Sequence, residues 1–407
     1  MATVVGASAE KEAPRIKKLD ETVVNRIAAG EVVQRPSNAV KELLENSLDA
    51  GSTAITVTAR QGGLKLLQLQ DNGHGIRRED MAIVCERFTT SKLREFGDLK
   101  SIATFGFRGE ALASVTHCAR VTITSRTADS QVAYKAKYLD GKLAPLKPGG
   151  STEPQPCAGL QGTTILAEDL FYNMDTRRKA FRSHAEQYQR ILEVVTRYAM
   201  HFGGRGIAFT CKKHGQPSPD LHVRADGTRL SNIRTAFGAT LARELMELEC
   251  SERPELLEAG APQPGVKASF AFRATGYVSG ANYSTKRSTF ILFINNRLVE
   301  SSSVRKVVEG CYRDVLPKNC HPFVYLALEM PAQHLDVNVH PTKREVHFLH
   351  EEALLESLQR AVEELLRGAN RSRTFYSQTV LPGAGLGAAP GLGGASGLHE
   401  SGATGME

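Results

Sequence analysis

One ten-residue stretch, residues 41–50, places two chemically different faces on a single predicted helix. At about 100° per residue, a mostly apolar stripe that can pack on a sheet forms on one side. This stripe consists of Val40, Leu43, Leu44, Ser47 and Leu48. The opposite, polar side consists of Glu42, Glu45, Asn46 and Asp49. A polar face of this kind is typical of a solvated helix, and the glycine-rich segments that follow favour a functional one.

Three glycine-containing segments follow the helix, each at a predicted junction between elements. A strand ending at Gln70 leads into Asp71–Gly75, Gly106–Gly109 precedes a helix, and Gly162 precedes a strand at 163–167. A carboxylate at a strand end can accept a hydrogen bond from an exocyclic amine such as that of adenine. Glycines let the backbone approach a flat ring, and backbone N–H groups ahead of a helix can hold phosphate. Each segment alone is typical of a turn, but the ordered set predicts a nucleotide site.

The phosphate-binding loops most common in nucleotide enzymes do not occur in the sequence. There is no G-x-x-x-x-G-K-[ST] string, and no complete G-x-G-x-x-G follows a strand. On the polar helix face, Glu42 and Asn46 lie one turn apart. They can supply a base for a water in line with the γ-phosphate and an oxygen ligand for Mg²⁺. The spacing leaves open whether Glu42 or Glu45 is the base, and Lys92 and Lys343 are candidate phosphate partners.

Composition sets limits on the class of protein. The chain is 41% hydrophobic and 23% charged, typical of a soluble globular protein, and no apolar run is long enough to span a membrane. A net charge of +7 permits binding to a polyanion without requiring it. Seven scattered cysteines without a C-x-x-C pair favour reduced thiols in the cytosol or nucleus.

Changes in pattern along the chain predict an α+β protein with two main domains. The expected divisions are a disordered leader (1–15), a nucleotide-binding domain (16–207), a second α/β domain (208–350), an amphipathic helix with its extension (351–380) and a Gly-rich linker (381–407). Within the first domain, a helix is expected through Met81, Val84, Cys85 and Phe88.

Several of these segments resemble a known family. Residues 42–50, 71–76, 106–114 and 162–163 resemble the four nucleotide-binding motifs of the GHKL ATPases, which include type II topoisomerases, heat-shock chaperones, sensor histidine kinases and MutL. Three strings resemble MutL in particular: Ile27–Val33, Gly106–Ser114 and Asp336–Lys343. Phe88–Lys92 and residues 316–351 most resemble the eukaryotic MutL homologue 1 type.

The resemblance implies a GHKL (Bergerat-type) α/β sandwich followed by a ribosomal-S5-like transducer domain. It implies that Glu42 is the general base, that Asn46 is the Mg²⁺ ligand, and that Glu45 and Asp49 have supporting roles. Asp71 with Gly75 and Thr163 would hold adenine, Gly106–Ala111 would form part of a lid, and Lys343 would reach the γ-phosphate. The residues expected to contact ATP are Asn46, Asp71, Gly73, Gly75, Thr89, Lys92, Gly106, Phe107, Arg108, Gly109, Glu110, Ala111, Leu112, Thr163 and Lys343.

The resemblance also implies a clamp driven by slow, Mg²⁺-dependent ATP hydrolysis in DNA mismatch repair. The expected partners are a PMS-type MutL paralogue, a MutS-type mismatch-recognition complex and DNA bound without sequence preference, in the nucleus and without a membrane. The family's C-terminal dimerisation domain is absent from this sequence, so neither constitutive heterodimerisation nor an endonuclease site is expected of it. The alternatives are another GHKL module, of chaperone or topoisomerase type, or a nucleotide-binding scaffold without significant turnover.

Overall fold

The computed structural model describes residues 15–92, 104–106, 108–258, 270–336 and 347–371. Within these ranges, the helices are α1 (Glu21–Val32), α2 (Pro36–Asp49), α3 (Ala111–Cys118), α4 (Asp175–Ala180), α5 (His184–His201), α6 (Arg229–Phe237), α7 (Ala239–Arg243), α8 (Glu255–Glu258), α9 (Ser302–Gly310) and α10 (Glu351–Arg371). The strands of the first sheet are β1 (Ala54–Arg60), β2 (Leu66–Asp71), β3 (Arg120–Arg126), β4 (Ala133–Leu139), β5 (Lys142–Ala144), β6 (Gln155–Cys157), β7 (Gly162–Glu168), β8 (Ala208–Lys213) and β9 (Leu221–Val223). The later strands are β10 (Leu245–Glu252), β11 (Phe272–Ser279), β12 (Thr289–Ile294), β13 (Arg297–Val299), β14 (Phe323–Glu329), β15 (Leu335–Asp336) and β16 (His347–Phe348).

Helix α2 packs on the first sheet. The strand order of this sheet is β5-β4-β3-β7-β2-β1-β8-β9, with β6 paired to β4. Alternate residues of β3 point into the core, where Val121 and Ile123 are fully buried. The apolar stripe of α2 is buried in the same core, with Leu43 and Leu44 at most 1% exposed. Because the apolar stripe is buried, the polar face of α2 is turned toward the loops at the edge of the sheet.

The second sheet has the order β10-β11-β14-β12-β13 and its own apolar core. Helices α9 and α10 pack on it, and α10 contributes the buried residues Leu354, Leu358, Val362 and Leu366. The apolar spacing of α10 is therefore used for core packing. None of the described helices combines the length and apolar character that crossing a membrane requires.

Two sequence expectations about local structure are wrong. Residues 81–88 do not form an α-helix, since a short 3-10 turn at Glu79–Ala82 is followed by irregular turns. Phe88 has φ +64°, and Tyr138 Oη donates to the Met81 carbonyl at 2.7 Å, which ties the preceding turn to β4. A right-handed helix needs a negative φ, so it cannot extend through Phe88.

The second error is that residues from 208 onward are assigned to the second domain. Strand β8 belongs to the first sheet and pairs in parallel with β1, from Ala54↔Ala208 to Ala59↔Lys213. A parallel pair requires a crossover connection, and α5, which the sequence analysis misses, lies in it and packs on β8. The first sheet therefore extends to Val223, and the division into two domains stays a prediction with a later boundary.

The two sheets meet at the C-terminal end of α5. The His201 ring stacks on Phe293, with centroids 3.9 Å apart, and its nitrogens contact Tyr325 Oη and Asn296 Oδ1, each at 2.9 Å. Burial, with Arg205 and Arg229 nearby, lowers the pKa of His201 to about 3. A neutral imidazole has one donor and one acceptor nitrogen, so both hydrogen bonds fix its orientation between the sheets.

Candidate nucleotide-binding site

A cavity of about 1000 Å³ lies beside the polar face of α2, between the loop after β2 and the start of α3. The sequence-predicted site residues that line it are Glu42, Asn46, Asp71, Gly75, Thr89, Lys92, Gly106, Arg108, Gly109, Glu110, Ala111, Leu112 and Thr163. Gly73 does not line the cavity, whereas Phe107 and Lys343 lie outside the described residues. The volume falls within the range of pockets that hold drug-sized and cofactor-sized ligands.

At one end of the cavity, the Asp71 carboxylate is held by three donors. Its Oδ1 accepts from the backbone N–H groups of Gly73 (3.0 Å) and Thr163 (3.2 Å), and its Oδ2 accepts from Ser47 Oγ (2.7 Å). Two carboxylate oxygens can together accept about four hydrogen bonds. The three donors therefore orient the group and leave it able to accept one more from a ligand.

Ser125 supports the same end of the cavity and is missed by the sequence analysis. Its Oγ accepts from the Ile76 N–H at 2.8 Å, donates to the Gly162 carbonyl at 3.0 Å and lies 2.9 Å from Thr163 Oγ1. The signal that could have found it is its register, because Ser125 is the polar residue in the inward-facing series of β3. A fully buried hydroxyl in such a series needs partners.

Gly75 is required by both conformation and space. It has φ +80°, and a Cβ there would lie 2.3 Å from the Arg126 carbonyl oxygen. Gly73 has a different constraint, because its Cβ would meet Ala50 at 2.8 Å. The two glycines thus hold the loop after β2 against α2 and against the end of β3.

Replacing Gly75 with alanine is expected to lower the free energy of unfolding by about 3 kcal/mol, since the left-handed backbone and the steric clash both contribute. Gly204 is the matched control: it has the same φ of +80°, but a Cβ there would meet nothing within 4 Å. Gly204→Ala is expected to cost only about 1 kcal/mol. Urea denaturation measures both values, and equal losses would show that the close approach to Arg126 contributes nothing.

The structure separates the two glutamates that spacing leaves equivalent. Glu42 lines the cavity, whereas Glu45 is 1% exposed and faces the core. Glu45 Oε1 accepts from Lys41 Nζ at 2.8 Å and from Tyr198 Oη at 2.5 Å. Burial and the Glu45 carboxylate raise the pKa of Tyr198 well above its ordinary value, so the phenol remains a donor. Glu45 thus holds α2 against α5, and Glu42 faces the cavity.

The far end of α2 gathers polar groups around Gly106. Lys92 Nζ lies 2.5 Å from Asp49 Oδ2 and 3.1 Å from Asn46 Oδ1. A Cβ on Gly106 would lie 3.1 Å from both Asn46 Oδ1 and Lys92 Nζ. The absence of a side chain at Gly106 therefore leaves space beside an amide oxygen that already contacts a cation. This arrangement fits a hard-oxygen ligand for Mg²⁺.

The end of the cavity beside α3 is formed by two crossing segments. Phe88 N–H donates to the Gly109 carbonyl at 3.1 Å, and Arg87 Nη1 lies 3.1 Å from Glu110 Oε1. Gly109 has φ +61°, and its Cβ would lie 2.3 Å from the Thr89 carbonyl oxygen. Helix α3 follows directly, and no side chain caps its N-terminus. Uncapped N–H groups and the positive helix end favour an anion there.

Two family models match the chain, one on each sheet. Residues 34–142 match a family described as histidine kinase-, DNA gyrase B- and HSP90-like ATPase. Residues 233–367 match the C-terminal domain of a DNA mismatch repair protein family. The predicted fold class, a GHKL ATPase domain followed by an S5-like transducer, is confirmed.

Relatives and solved structures agree with this assignment. DNA mismatch repair protein Mlh1 of Dictyostelium discoideum is 45% identical over 380 residues, covering 91% of this chain and 43% of that protein. The crystal structure of the N-terminal domain of a DNA repair protein matches with 26% identity and a TM-score of 0.70, covering 86% of this chain and 99% of the other. The ADP-bound ATPase domain of Aquifex aeolicus MutL matches with 19% identity and a TM-score of 0.52, covering 80% of this chain and 98% of the other.

The chain spans about half the length of the curated relatives it matches. Their identity to this chain is 43–45% over about 90% of its residues, so the likeness includes both sheets. The family models and the relatives agree on one assignment: the chain belongs to the MutL/Mlh1 family of DNA mismatch repair proteins.

Proposed function

We propose that this chain binds ATP and hydrolyses it to ADP and phosphate with the help of Mg²⁺, as the switch of a DNA mismatch repair protein. The observation that carries the proposal is the single cavity that brings together three different groups. These are an oriented carboxylate at Asp71, a carboxylate and an amide oxygen on α2, and the uncapped N-terminus of α3. The Asp71 carboxylate suits the adenine ring, and the groups on α2 suit the attacking water and the metal. The N-terminus of α3 suits the phosphates of ATP.

The Asp71 end of the cavity would select adenine. The carboxylate can accept a hydrogen bond from an exocyclic amine, and Ser47, Gly73 and Thr163 hold it in place. Guanine presents a carbonyl oxygen where adenine presents its amine. Two acceptors facing each other repel, so ATP is expected to bind more tightly than GTP.

The phosphates would lie toward Gly106–Leu112, where Lys92 and the first N–H groups of α3 can contact them. Glu42, on the cavity wall, would orient a water and take its proton. Mg²⁺ bound through Asn46 would neutralise charge on the phosphate oxygens. The role of Lys343 at the γ-phosphate stays a prediction, because Lys343 lies outside the described residues.

Removal of Mg²⁺ is expected to abolish phosphate release, because the phosphate charge would then have no metal to neutralise it. The measurement is steady-state phosphate release with ATP before and after addition of EDTA, with Mg²⁺ added back as the control. Asn46→Ala should raise the Mg²⁺ concentration needed for half-maximal rate. Turnover that persists in EDTA would contradict the metal's role.

The partners we propose follow from the family. They are a PMS-type MutL paralogue, a MutS-type mismatch-recognition complex and DNA bound without sequence preference, in the nucleus. Three apolar residues of α1 are 43–54% exposed and supply a surface for association of two N-terminal regions: Val23, Val24 and Ile27. The net charge of +7 supports salt-dependent binding to DNA. The match of residues 233–367 to a mismatch-repair model favours this reading over a chaperone or topoisomerase module.

A further inference from the structure

The three residues Thr104–Gly106, which lead into the phosphate end of the cavity, are held by two charged side chains, one from α2 and one from the second sheet. From α2, Asp49 accepts the Phe105 N–H at 2.9 Å and the Gly106 N–H at 3.0 Å. From β13, Arg297 donates to the Phe105 carbonyl at 2.9 Å through Nη1 and to the Thr104 carbonyl at 2.6 Å through Nη2. We refer to these four hydrogen bonds as the 104–106 clamp.

The two side chains of the clamp differ in where they are anchored. Asp49 lies on α2, one turn after Asn46, and its side chain is 4% exposed. Arg297 lies in the second sheet, 192 residues beyond Phe105 in the chain. Each holds the backbone through charge-assisted hydrogen bonds, which are about twice as strong as neutral ones. The position of this segment relative to α2 therefore depends on the position of the second sheet.

Backbone pairing and side-chain hydrogen bonds fix the position of Arg297. Arg297 is the first residue of β13 and pairs with Ile294 across the hairpin. It follows a two-residue turn at Asn295 and Asn296, both of which have positive φ. Asn296 Oδ1 accepts one hydrogen bond from Arg205 Nη1 and contacts His201 Nε2, each at 2.9 Å. The planar guanidinium presents its donors in a fixed fork, so Arg297 can address two successive carbonyls at once.

We propose that Arg297 is a positioning residue for ATP hydrolysis. It holds residues 104–106 against Asp49. A residue of the second sheet thereby fixes the position of Gly106 at the phosphate end of the cavity. When the second sheet shifts relative to α2, Arg297 moves the two carbonyls to which it donates. The segment that faces the phosphates moves with them. This inference rests on the proposed ATPase function and adds to it a route of regulation that touches neither the base nor the metal ligand.

The test compares Arg297→Met, which removes both donors and keeps an unbranched stem, with Arg297→Lys, which keeps the charge but not the fork. Arg313→Met is the matched control, because Arg313 is exposed and lies on the same side of the domain boundary. Without nucleotide, the Phe105 and Gly106 amides should exchange hydrogen at least about tenfold faster in Arg297→Met than in the native chain. With ATP, kcat should fall by about tenfold to a hundredfold while KM changes less than about threefold. Arg297→Lys should lie between.

If amide exchange at Phe105 and Gly106 is unchanged in a folded Arg297→Met variant, Arg297 does not hold residues 104–106 in place. Faster exchange with native kcat would overturn the positioning role. If Arg297→Met fails to fold, Arg297→Lys decides by the same two readouts. Because exchange is measured without nucleotide, absence of turnover in the native chain would refute the proposed function and leave the clamp to be judged on exchange.

Discussion

Replacing Glu42 with alanine is expected to lower ATP turnover by about a hundredfold or more while leaving nucleotide binding intact. Glu42 lines the cavity on the face of α2 that also carries Asn46, whereas the Asp71 end of the cavity, proposed to hold adenine, is built from other residues. Removing the carboxylate therefore removes the base without changing the groups proposed to hold the nucleotide. Phosphate release and equilibrium binding of a fluorescent ATP analogue, measured on the same preparation, give the two quantities.

The matched control is Glu356→Ala, an exposed glutamate on α10, which should leave both quantities unchanged. Native turnover in Glu42→Ala would contradict the base assignment. Loss of binding together with turnover would show that Glu42 holds the nucleotide and is not specifically its base.

Asp71→Asn should weaken binding of both ATP and ADP by about tenfold or more, since a hydrogen bond to a charged group contributes about 1.5–3 kcal/mol. An asparagine has one acceptor oxygen, so it cannot serve the Ser47 hydroxyl, the Gly73 and Thr163 N–H groups and an adenine amine together. Isothermal titration calorimetry of each nucleotide measures the loss.

The control for this substitution is Asp226→Asn, at a carboxylate whose side chain is 70% exposed. If Asp71→Asn bound ATP as tightly as the native chain, the adenine end would have to be elsewhere. Equal affinity of the native chain for ATP and GTP would lead to the same conclusion.

Much of the cavity could be predicted from sequence because its parts are local. The polar face of α2 follows from helical spacing, and Gly75 and Gly109 occupy positions of positive φ that a glycine permits. Each of these features depends on residues within a few positions in the chain. Their order in the chain then gave the resemblance that the comparisons confirm.

The separation of Glu42 from Glu45 could not be predicted from spacing. It depends on Tyr198, which lies 153 residues beyond Glu45 and holds that carboxylate in the core. Ser47 was placed with the apolar stripe for a similar reason, because only the folded chain brings it 2.7 Å from Asp71. Arg297 carries no local signal at all.

Helix α5 is also missing from the elements predicted from the sequence, although its residues do show a helical pattern. Tyr188, Ile191, Val195 and Tyr198 recur at helical spacing and are all buried. Recognising α5 would have suggested a crossover and hence a strand at 208–213 in the first sheet. The wrong helix at 81–88 has the opposite cause, because a suitable apolar pattern is present but Phe88 adopts a left-handed conformation.

A crystal structure of this chain with Mg²⁺ and a non-hydrolysable ATP analogue tests the account most directly. We predict that the adenine amine contacts the Asp71 carboxylate, that the phosphates lie against Gly106–Leu112, and that Lys92 Nζ has left Asn46 Oδ1, which holds the metal. Adenine bound away from Asp71, or phosphates that contact neither α3 nor Lys92, would contradict the assignment of this cavity as the ATP site.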